Sequence, residues 1–160
     1  MNVEIDKSKP WGFLDGASQN DLCGEGGLLY LSNDHFFEIS FGLGEGSNNF
    51  AELMSLKMLL IFAAEKGCQN LALFGDSVNV INWVNGIQQC KHIRLANLLI
   101  LVRELMSSFD TIICRHVYRE NNDRADKASK EGLAMAVGLW QVKEIRAGHD
   151  PIVTHRAITD

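Results

Sequence analysis

The chain has 160 residues, enough for one domain with a sizeable apolar core. Its 46% hydrophobic and 22% charged content is ordinary for a globular protein, and no apolar run is long enough to span a bilayer. The polar start MNVEIDKSKP has no signal-peptide core, and the four cysteines lack the paired spacing of a zinc site. We therefore expect no membrane partner and an intracellular protein, in the cytoplasm or the nucleus. The formal net charge of −5 argues against a nucleic-acid partner unless bound cations offset it.

The first third of the chain predicts three strands and then a helix. The short apolar run WGFLDG ends in Asp-Gly, and GGLLYLSNDHFFEISFGL predicts two strands joined by a turn at Ser32, Asn33 and Asp34. A Gly/Ser/Asn break, GEGSNN, follows. The next stretch, NFAELMSLKMLLIFAAEKG, predicts a helix because its apolar side chains recur three and four residues apart and a terminal Lys-Gly ends it.

The remaining chain alternates short strands with helices. In order, NLALFG predicts a buried strand, SVNVINWVNG a short helix, IRLANLLILVRELMSSF a longer helix, TIICRHVY a strand and NNDRADKASKEGLAMAVG a last helix. Without repeats or linkers, this order predicts a mixed α/β domain around a mixed sheet. Beyond it, WQVKEIR and PIVTHRAI alternate like strands around AGHD, which predicts a hairpin packed on the core.

Four acidic residues fall at the ends or the starts of these elements. Asp15 ends the first strand, Glu52 lies in the first turn of the long helix, Asp76 ends the fourth strand and Asp126 begins the last helix. Each alone could be a solvated surface group or a helix cap, and Asp76 or Ser77 could simply cap the next helix. Together they predict carboxylates that converge at one sheet edge, where like charges raise each other's proton affinity. Mg²⁺ or Mn²⁺, which prefer carboxylate oxygen and water, would stabilise such a cluster.

These stretches resemble a known set of motifs. FLDGAS, NNFAEL, FGDS and HVYRENNDRADKASKEG are similar to the four acidic motifs of type 1 ribonuclease H, and most closely to those of plant non-LTR retroelements and the archaeal-like branch. The resemblance covers about residues 10–133 and implies a ribonuclease H-like α/β fold, a five-stranded mixed sheet with strands one to three antiparallel, flanked by helices. We therefore predict an N-terminal tail over residues 1–9, the ribonuclease H domain over 10–137 and a C-terminal extension over 138–160.

The resemblance also implies a reaction. The chain would be an endoribonuclease that hydrolyses the RNA strand of RNA/DNA hybrids and leaves 5′-phosphate and 3′-hydroxyl ends. Asp15, Glu52, Asp76 and Asp126 would hold two Mg²⁺ ions, with Mn²⁺ as a substitute. Two such ions would add four positive charges and bring the formal net charge from −5 to about −1. The chain would act as a monomer, with a fused reverse transcriptase supplying much of the grip on the hybrid.

Contacts with the hybrid follow from the same resemblance. The backbone around Gly16 and Ala17 would read 2′-hydroxyl groups, and Gly16 suits a close backbone approach that tolerates no side chain. Asn48 and Asn49 would reach base edges in the minor groove, and one of them could also cap the long helix. Asn122 would steady the last helix beside the site. Weaker phosphate contacts would come from Lys91, Arg94, Arg115 and Arg119.

His116 is the candidate for the histidine that many family members carry on a flexible loop before the last helix. It would assist product release or proton transfer, or it is a half-buried strand residue, since CRHVYREN contains no glycine. Two other functions stay open, a catalytically silent nucleic-acid-binding module derived from a retroelement and another nuclease or strand-transfer enzyme of the same superfamily. The presence of all four acids favours an active enzyme.

Overall fold

The computed structural model describes residues 4–157, which form seven strands and four α-helices. In chain order these are β1 (Trp11–Gln19), β2 (Leu22–Ser32), β3 (His35–Glu45), α1 (Asn48–Glu65), β4 (Asn70–Gly75), α2 (Val78–Val84), α3 (Ile93–Ser107), β5 (Thr111–His116), α4 (Asp123–Leu133), β6 (Leu139–Arg146) and β7 (Ile152–Ala157). Residues 1–3 of the predicted tail and 158–160 of the predicted extension lie outside the described residues. Within the described range, no helix is both long and apolar enough to cross a bilayer.

All seven strands belong to one mixed sheet, in the order β5-β4-β1-β2-β3-β6-β7. β1, β2 and β3 are antiparallel neighbours, whereas β4 pairs parallel with β1 and β5 pairs parallel with β4. The predicted mixed α/β class, with the first three strands antiparallel, is confirmed. The sheet has seven strands rather than the predicted five, because the C-terminal extension continues it beyond β3.

The helices cover the two faces of the sheet. α1 buries its apolar side on one face and forms the main core with α2, α3 and the central strands. α4 crosses the opposite face at very short distance, since a Cβ added at Gly26 of β2 would lie 2.2 Å from the backbone nitrogen of Ser129. The same holds at Gly24, where an added Cβ would lie 2.4 Å from the nitrogen of Leu133. Glycine is required at these two positions, and it lets the second half of α4 pack directly on β2.

A second, smaller apolar cluster is centred on Trp11, Phe74 and Val117. Ile5, from the segment predicted as an N-terminal tail, packs against this cluster. The ammonium group of Lys7 lies 5.6 Å from the centre of the Trp11 ring, within the range of a cation–π contact. The described part of the tail therefore packs on the domain.

The C-terminal extension forms an antiparallel hairpin that lengthens the sheet at the β3 edge. Trp140 of β6 is buried edge-on against the rings of Phe41 and Phe62, so the main core continues into the extension. Arg156 of β7 forms a two-point ion pair with Glu65 at the end of α1, with N–O distances of 2.7 and 2.9 Å. The hairpin is thus attached by a buried ring and by an exposed ion pair.

These two attachments differ in energy. We expect Trp140→Ala to lower the free energy of unfolding by about 3–5 kcal/mol, because it leaves a cavity between two aromatic rings. We expect Arg156→Ala to cost less than about 1 kcal/mol, because both partners are solvent-exposed. Urea denaturation of the full chain measures both changes. An unchanged midpoint for Trp140→Ala would show that the hairpin does not share the core.

Candidate active site

The candidate site lies where the parallel pairing of two central strands stops. β1 pairs with β4 as far as Leu14 and Gly75, so Asp15 and Asp76 follow the last paired residues of the two strands. The prediction that Asp15 ends the first strand is wrong, because β1 continues to Gln19 by pairing with β2. The two acids nevertheless share one edge, because the carboxyl ends of parallel strands point the same way.

Three of the four predicted acids converge at this edge. Glu52 reaches it from the second turn of α1, so the prediction that it lies in the first turn is wrong. One carboxylate oxygen from each of Asp15, Glu52 and Asp76 lies within 4.8 Å of the other two. Asp15 and Glu52 are buried, with 5% and 6% of their surface exposed, and Asp76 is half-buried. The arrangement is a concentrated, partly enclosed group of oxygen ligands.

Asp76 is not needed as a helix cap. The cap of α2 is Ser77, whose hydroxyl accepts a hydrogen bond from the Val80 N–H at 3.4 Å. The simpler explanation of the Asp-Ser pair therefore applies to the serine alone. The aspartate turns its carboxylate toward the other acids.

The acids in the group perturb one another. Burial raises the pKa of the Asp15 carboxyl to about 6, and the charge of Asp76 acts in the same direction while a hydrogen bond with Glu52 opposes it. Burial also raises the pKa of Glu52 well above its usual value, and the neighbouring Asp15 adds to that effect. Without a cation, the group therefore resists full ionisation.

Asp126 lies at the rim of the group, in the first turn of α4. Its carboxylate interacts with Asp15 and forms an ion pair with Lys130 at 2.9 Å. Partial burial acts to raise the pKa of Asp126, but the hydrogen bonds with Lys130 and Asp15 outweigh it and hold the pKa below its usual value. This fourth acid thus carries its own counter-ion.

The peptide group between Leu14 and Asp15 is held from both sides of the sheet. Its N–H donates to the Ser55 hydroxyl of α1 at 3.1 Å, and its carbonyl accepts from the Asn122 side-chain amide at 2.9 Å. The Ser129 hydroxyl of α4 lies 3.1 Å from an Asp15 carboxylate oxygen. Asn122 was expected to steady the last helix, but its side chain makes no cap hydrogen bond there and binds β1 instead. Ser55 and Ser129 were not predicted. The sequence does hold a signal for these serines: each follows an acid, Glu52 or Asp126, by three residues, which places it on the same face of the helix as that acid.

The backbone of Gly16 packs closely against α1. A Cβ at Gly16 would lie 2.3 Å from the Ala51 carbonyl carbon and 2.4 Å from the Glu52 nitrogen. The missing side chain makes room for α1, and the contact of the Gly16 backbone with substrate stays a prediction. The Gly16 N–H donates to the Glu52 carboxylate, while Ala17 lines an open cleft that also contains Lys130.

Asn48 and Asn49 are the first two residues of α1. Ser47 caps this helix by accepting a hydrogen bond from the Phe50 N–H at 3.2 Å, so the alternative that Asn48 or Asn49 is the cap is wrong. Asn48 is exposed and Asn49 is partly exposed, so both amides are accessible from solvent.

His116 and Arg119 flank the site differently. His116 is the last residue of β5 and is exposed, with its ring edge-on to Tyr118 at a centroid distance of 5.5 Å. The alternative that it is half-buried is therefore wrong. Arg119 is 88% exposed and lies in a short 3₁₀ turn between β5 and α4, where its Nε is 4.0 Å from the Asp76 carboxylate. Of these two residues, Arg119 is the one that faces an acid of the group.

The donor set fits a hard divalent cation. Oε2 of Glu52 is buried and has no hydrogen-bond partner among residues 4–157, so it is available as a ligand. The three converging side chains offer carboxylate oxygen only, with no sulfur or imidazole ligand in the group. A site of carboxylate oxygens suits Mg²⁺ or Mn²⁺ better than it suits zinc.

Comparison with known proteins places the chain among relatives of the same architecture. A family model described as "Reverse transcriptase-like" matches residues 13–132. Ribonuclease HI of Halobacterium salinarum is 30% identical over 131 residues, covering 76% of this chain and 62% of that protein. The crystal structure of ribonuclease H1 from the same archaeon has a TM-score of 0.75 at 30% identity, covering 80% of this chain and 99% of that chain. This chain belongs to the type 1 ribonuclease H family.

The ribonuclease H domain also resembles a more distant structure with a bound substrate. LC11-RNase H1 in complex with an RNA/DNA hybrid has a TM-score of 0.67 at 20% identity, covering 79% of this chain and 97% of that chain, and so shares the fold. The chain spans about three fifths, 62%, of the length of the curated Halobacterium relative. The family match ends at residue 132, before β6, so the C-terminal hairpin lies outside it.

The raised pKa of Asp15 predicts how the metal-free ribonuclease H domain responds to pH. The folded domain holds a proton up to about pH 6 that the unfolded chain releases near its ordinary pKa of 3.8, so stability falls as pH rises between these values. We expect Asp15→Asn to raise the melting temperature in EDTA by roughly 5 °C at pH 7.5 and by much less at pH 4.5.

Thermal melts at both pH values measure the effect. Asp150→Asn serves as the control, because Asp150 is exposed in the turn between β6 and β7. An equal gain from Asp15→Asn at the two pH values would contradict the raised pKa.

Proposed function

We propose that this chain is an endoribonuclease that hydrolyses the RNA strand of RNA/DNA hybrids. The observation that carries the proposal is the convergence of Asp15, Glu52 and Asp76 within 4.8 Å, where two strands stop pairing and a helix begins. Membership of the ribonuclease H family supports it, and so does the hybrid bound to LC11-RNase H1 on the same fold.

Two Mg²⁺ ions, or Mn²⁺ in their place, are the proposed cofactors. Asp15, Glu52 and Asp76 would hold them, with Asp126 at the rim. When bound, the ions supply Lewis-acid activation of water and stabilisation of the leaving 3′-oxygen, which yields 5′-phosphate and 3′-hydroxyl ends. Because water activated by such ions would be the nucleophile, no cysteine or serine nucleophile is needed.

The residues around the acids fix the orientation in which the carboxylates would bind such cations. Ser55 and Asn122 hold the Leu14–Asp15 peptide, and the Gly16 N–H orients Glu52. Lys130 neutralises Asp126, which leaves the rim acid free to exchange one cationic partner for another. The domain thus presents a rigid inner group and a more adaptable outer acid.

The proposed contacts with the hybrid lie along one side of this group. Ala17 lines the cleft beside the acids, and its backbone, with Glu52, would read the 2′-hydroxyl group that distinguishes RNA from DNA. The accessible amides of Asn48 and Asn49, at the start of α1, would reach base edges in the minor groove.

The charge and the family of the chain bear on the larger protein in which the domain would act. We propose a monomeric domain of a retroelement polyprotein, in which a fused reverse transcriptase holds most of the hybrid. The formal net charge of −5 supports the need for such a partner, because a domain with a net negative charge binds a polyanion weakly by itself. The reverse-transcriptase-like description of the matching family model agrees with it.

Hydrolysis by matched variants tests the proposed activity. With Mg²⁺ present, we expect efficient cleavage of the RNA strand of a hybrid and not of double-stranded DNA, double-stranded RNA or single-stranded RNA. Asp76→Asn should reduce cleavage by about 1,000-fold or more, because it removes a charged ligand from the group. Ser77→Ala should keep the activity and lose about 1 kcal/mol of stability, because it removes only the helix cap.

The outcomes separate the competing functions. Hybrid binding without cleavage by the wild type would favour the silent nucleic-acid-binding module. Equal cleavage of double-stranded DNA would favour another nuclease of the superfamily. Near-normal cleavage by Asp76→Asn would contradict the role of the acid group.

A second proposal concerns the cation beside Asp76. We infer that Arg119 contacts the scissile phosphate and that His116 assists product release. Arg119→Ala should then slow single-turnover cleavage about tenfold, or 1.4 kcal/mol, whereas His116→Ala should slow only multiple turnover. Arg146→Ala is the control, because Arg146 is an exposed cation on β6, which β2 and β3 separate from the strands that carry the acids. A single-turnover rate that Arg119→Ala leaves unchanged would remove Arg119 from the site.

A further inference from the structure

Two buried serines, one on each of the helices that flank the site, both contact Asp15. The Ser55 hydroxyl of α1 accepts a hydrogen bond from the Asp15 N–H at 3.1 Å, and the Ser129 hydroxyl of α4 lies 3.1 Å from an Asp15 carboxylate oxygen. Both serines are fully buried. The main chain and the side chain of Asp15 are therefore held separately, from opposite faces of the sheet.

Each serine hydroxyl has a second partner. Ser55 donates to the carbonyl of Gly26 at 2.9 Å, and Gly26 is the residue of β2 directly opposite Asp15. Ser129 shares its hydroxyl proton between Asp15 and the carbonyl of Asp126, which lies 2.7 Å away. Because a buried hydroxyl is unfavourable without hydrogen bonds, these contacts fix the orientation of both serine side chains.

The two serines also have the same spacing from two other acids. Ser55 follows Glu52 by three residues on α1. Ser129 follows Asp126 by three residues on α4. Because this spacing places a serine and an acid on the same face of a helix, each helix brings one acid to the group and one hydroxyl to Asp15. A shift of either helix along the sheet would change the distance between its acid and Asp15 and break the serine's hydrogen bond at the same time.

We propose that Ser55 and Ser129 are positioning residues for divalent-cation binding, each of which fixes its own helix, and the acid on that helix, relative to Asp15. The inference rests on the proposed function, because that function assigns the acids as cation ligands. Residues that orient ligands in this way change metal affinity about 10–100-fold when they are removed.

Calorimetric titration of the full chain with Mn²⁺ tests the two serines without relying on catalysis. Ser55→Ala and Ser129→Ala should each raise the Mn²⁺ dissociation constant about tenfold. Ser55→Cys should also raise it, because a thiol fills nearly the same space but is a poor hydrogen-bonding group. The Mg²⁺ concentration for half-maximal hybrid cleavage should rise about tenfold in the alanine variants, whereas the rate at saturating Mg²⁺ should stay within about threefold of the wild type.

Ser40→Ala is the matched control for the loss of a buried serine bond. Ser40 is 3% exposed, and its hydroxyl donates to the Ala128 carbonyl of α4 at 2.8 Å. It lies on β3, two strands from Asp15, in the same cross-strand row through Gly26. This variant should lower the melting temperature by as much as the other two alanine variants and leave the Mn²⁺ dissociation constant within about twofold of the wild type.

The outcomes address separate claims. Wild-type Mn²⁺ affinity in both Ser55→Ala and Ser129→Ala would overturn the proposal even where both variants are destabilised, and wild-type affinity in one of them would overturn the role of that serine. An equal loss of affinity in Ser40→Ala would also overturn the proposal, because any loosening of the fold would then be sufficient. A wild-type chain that neither binds Mn²⁺ nor cuts the hybrid would overturn the proposed function and the serine roles together, whereas the other outcomes leave the proposed function standing.

Discussion

The hydrogen bonds at the Leu14–Asp15 peptide determine the geometry of the whole site. This peptide group lies where the parallel pairing of β1 with β4 ends, so its carbonyl is not used in that pairing. Ser55 binds its N–H from the side of α1, and Asn122 binds its carbonyl from the start of α4. Because a peptide group is planar, these two bonds fix the direction in which the Asp15 side chain leaves the strand. The other acids are then placed by the helices that carry Ser55 and Asn122 and by the strand next to β1.

The same geometry creates an electrostatic conflict. Two carboxyl groups are nearly fully buried beside a third, and burial raises the pKa of both Asp15 and Glu52. Within residues 4–157, Asp126 is the one acid of the four with a close counter-ion, Lys130, whereas Arg119 lies 4.0 Å from Asp76 and is largely exposed to solvent. A domain that lacks cations in its inner group must draw its stability from the core elsewhere. The arrangement is therefore unfavourable for folding alone and suited to a group that binds divalent cations.

The sequence predicted what short-range patterns determine. Periodicity predicted the strands and helices, and the order of parallel strands predicted that Asp15 and Asp76 share an edge. The sequence could not predict that the Ser55 hydroxyl accepts a hydrogen bond from the Asp15 N–H, since 40 residues separate them and only the packing of α1 brings them together. For the same reason it could not predict that Gly16 makes room for α1, because the close approach of this helix is a tertiary contact. The alternating pattern of the C-terminal extension predicted a hairpin, but no local signal determines which strand β6 pairs with.

The C-terminal hairpin contributes to the core of the domain but lies away from the candidate active site. The family match ends at residue 132, yet Trp140 belongs to the main core, so the core extends beyond the part that the family model matches. β6 and β7 continue the sheet from β3, whereas the acids lie at β1 and β4, with β2 and β3 in between. Pairing of β3 with β6 also covers an edge that would otherwise offer free backbone groups to another chain. Sequence changes in the extension can therefore alter the stability of the domain without touching the carboxylates, whereas changes at Ser55 or Asn122 alter both at once.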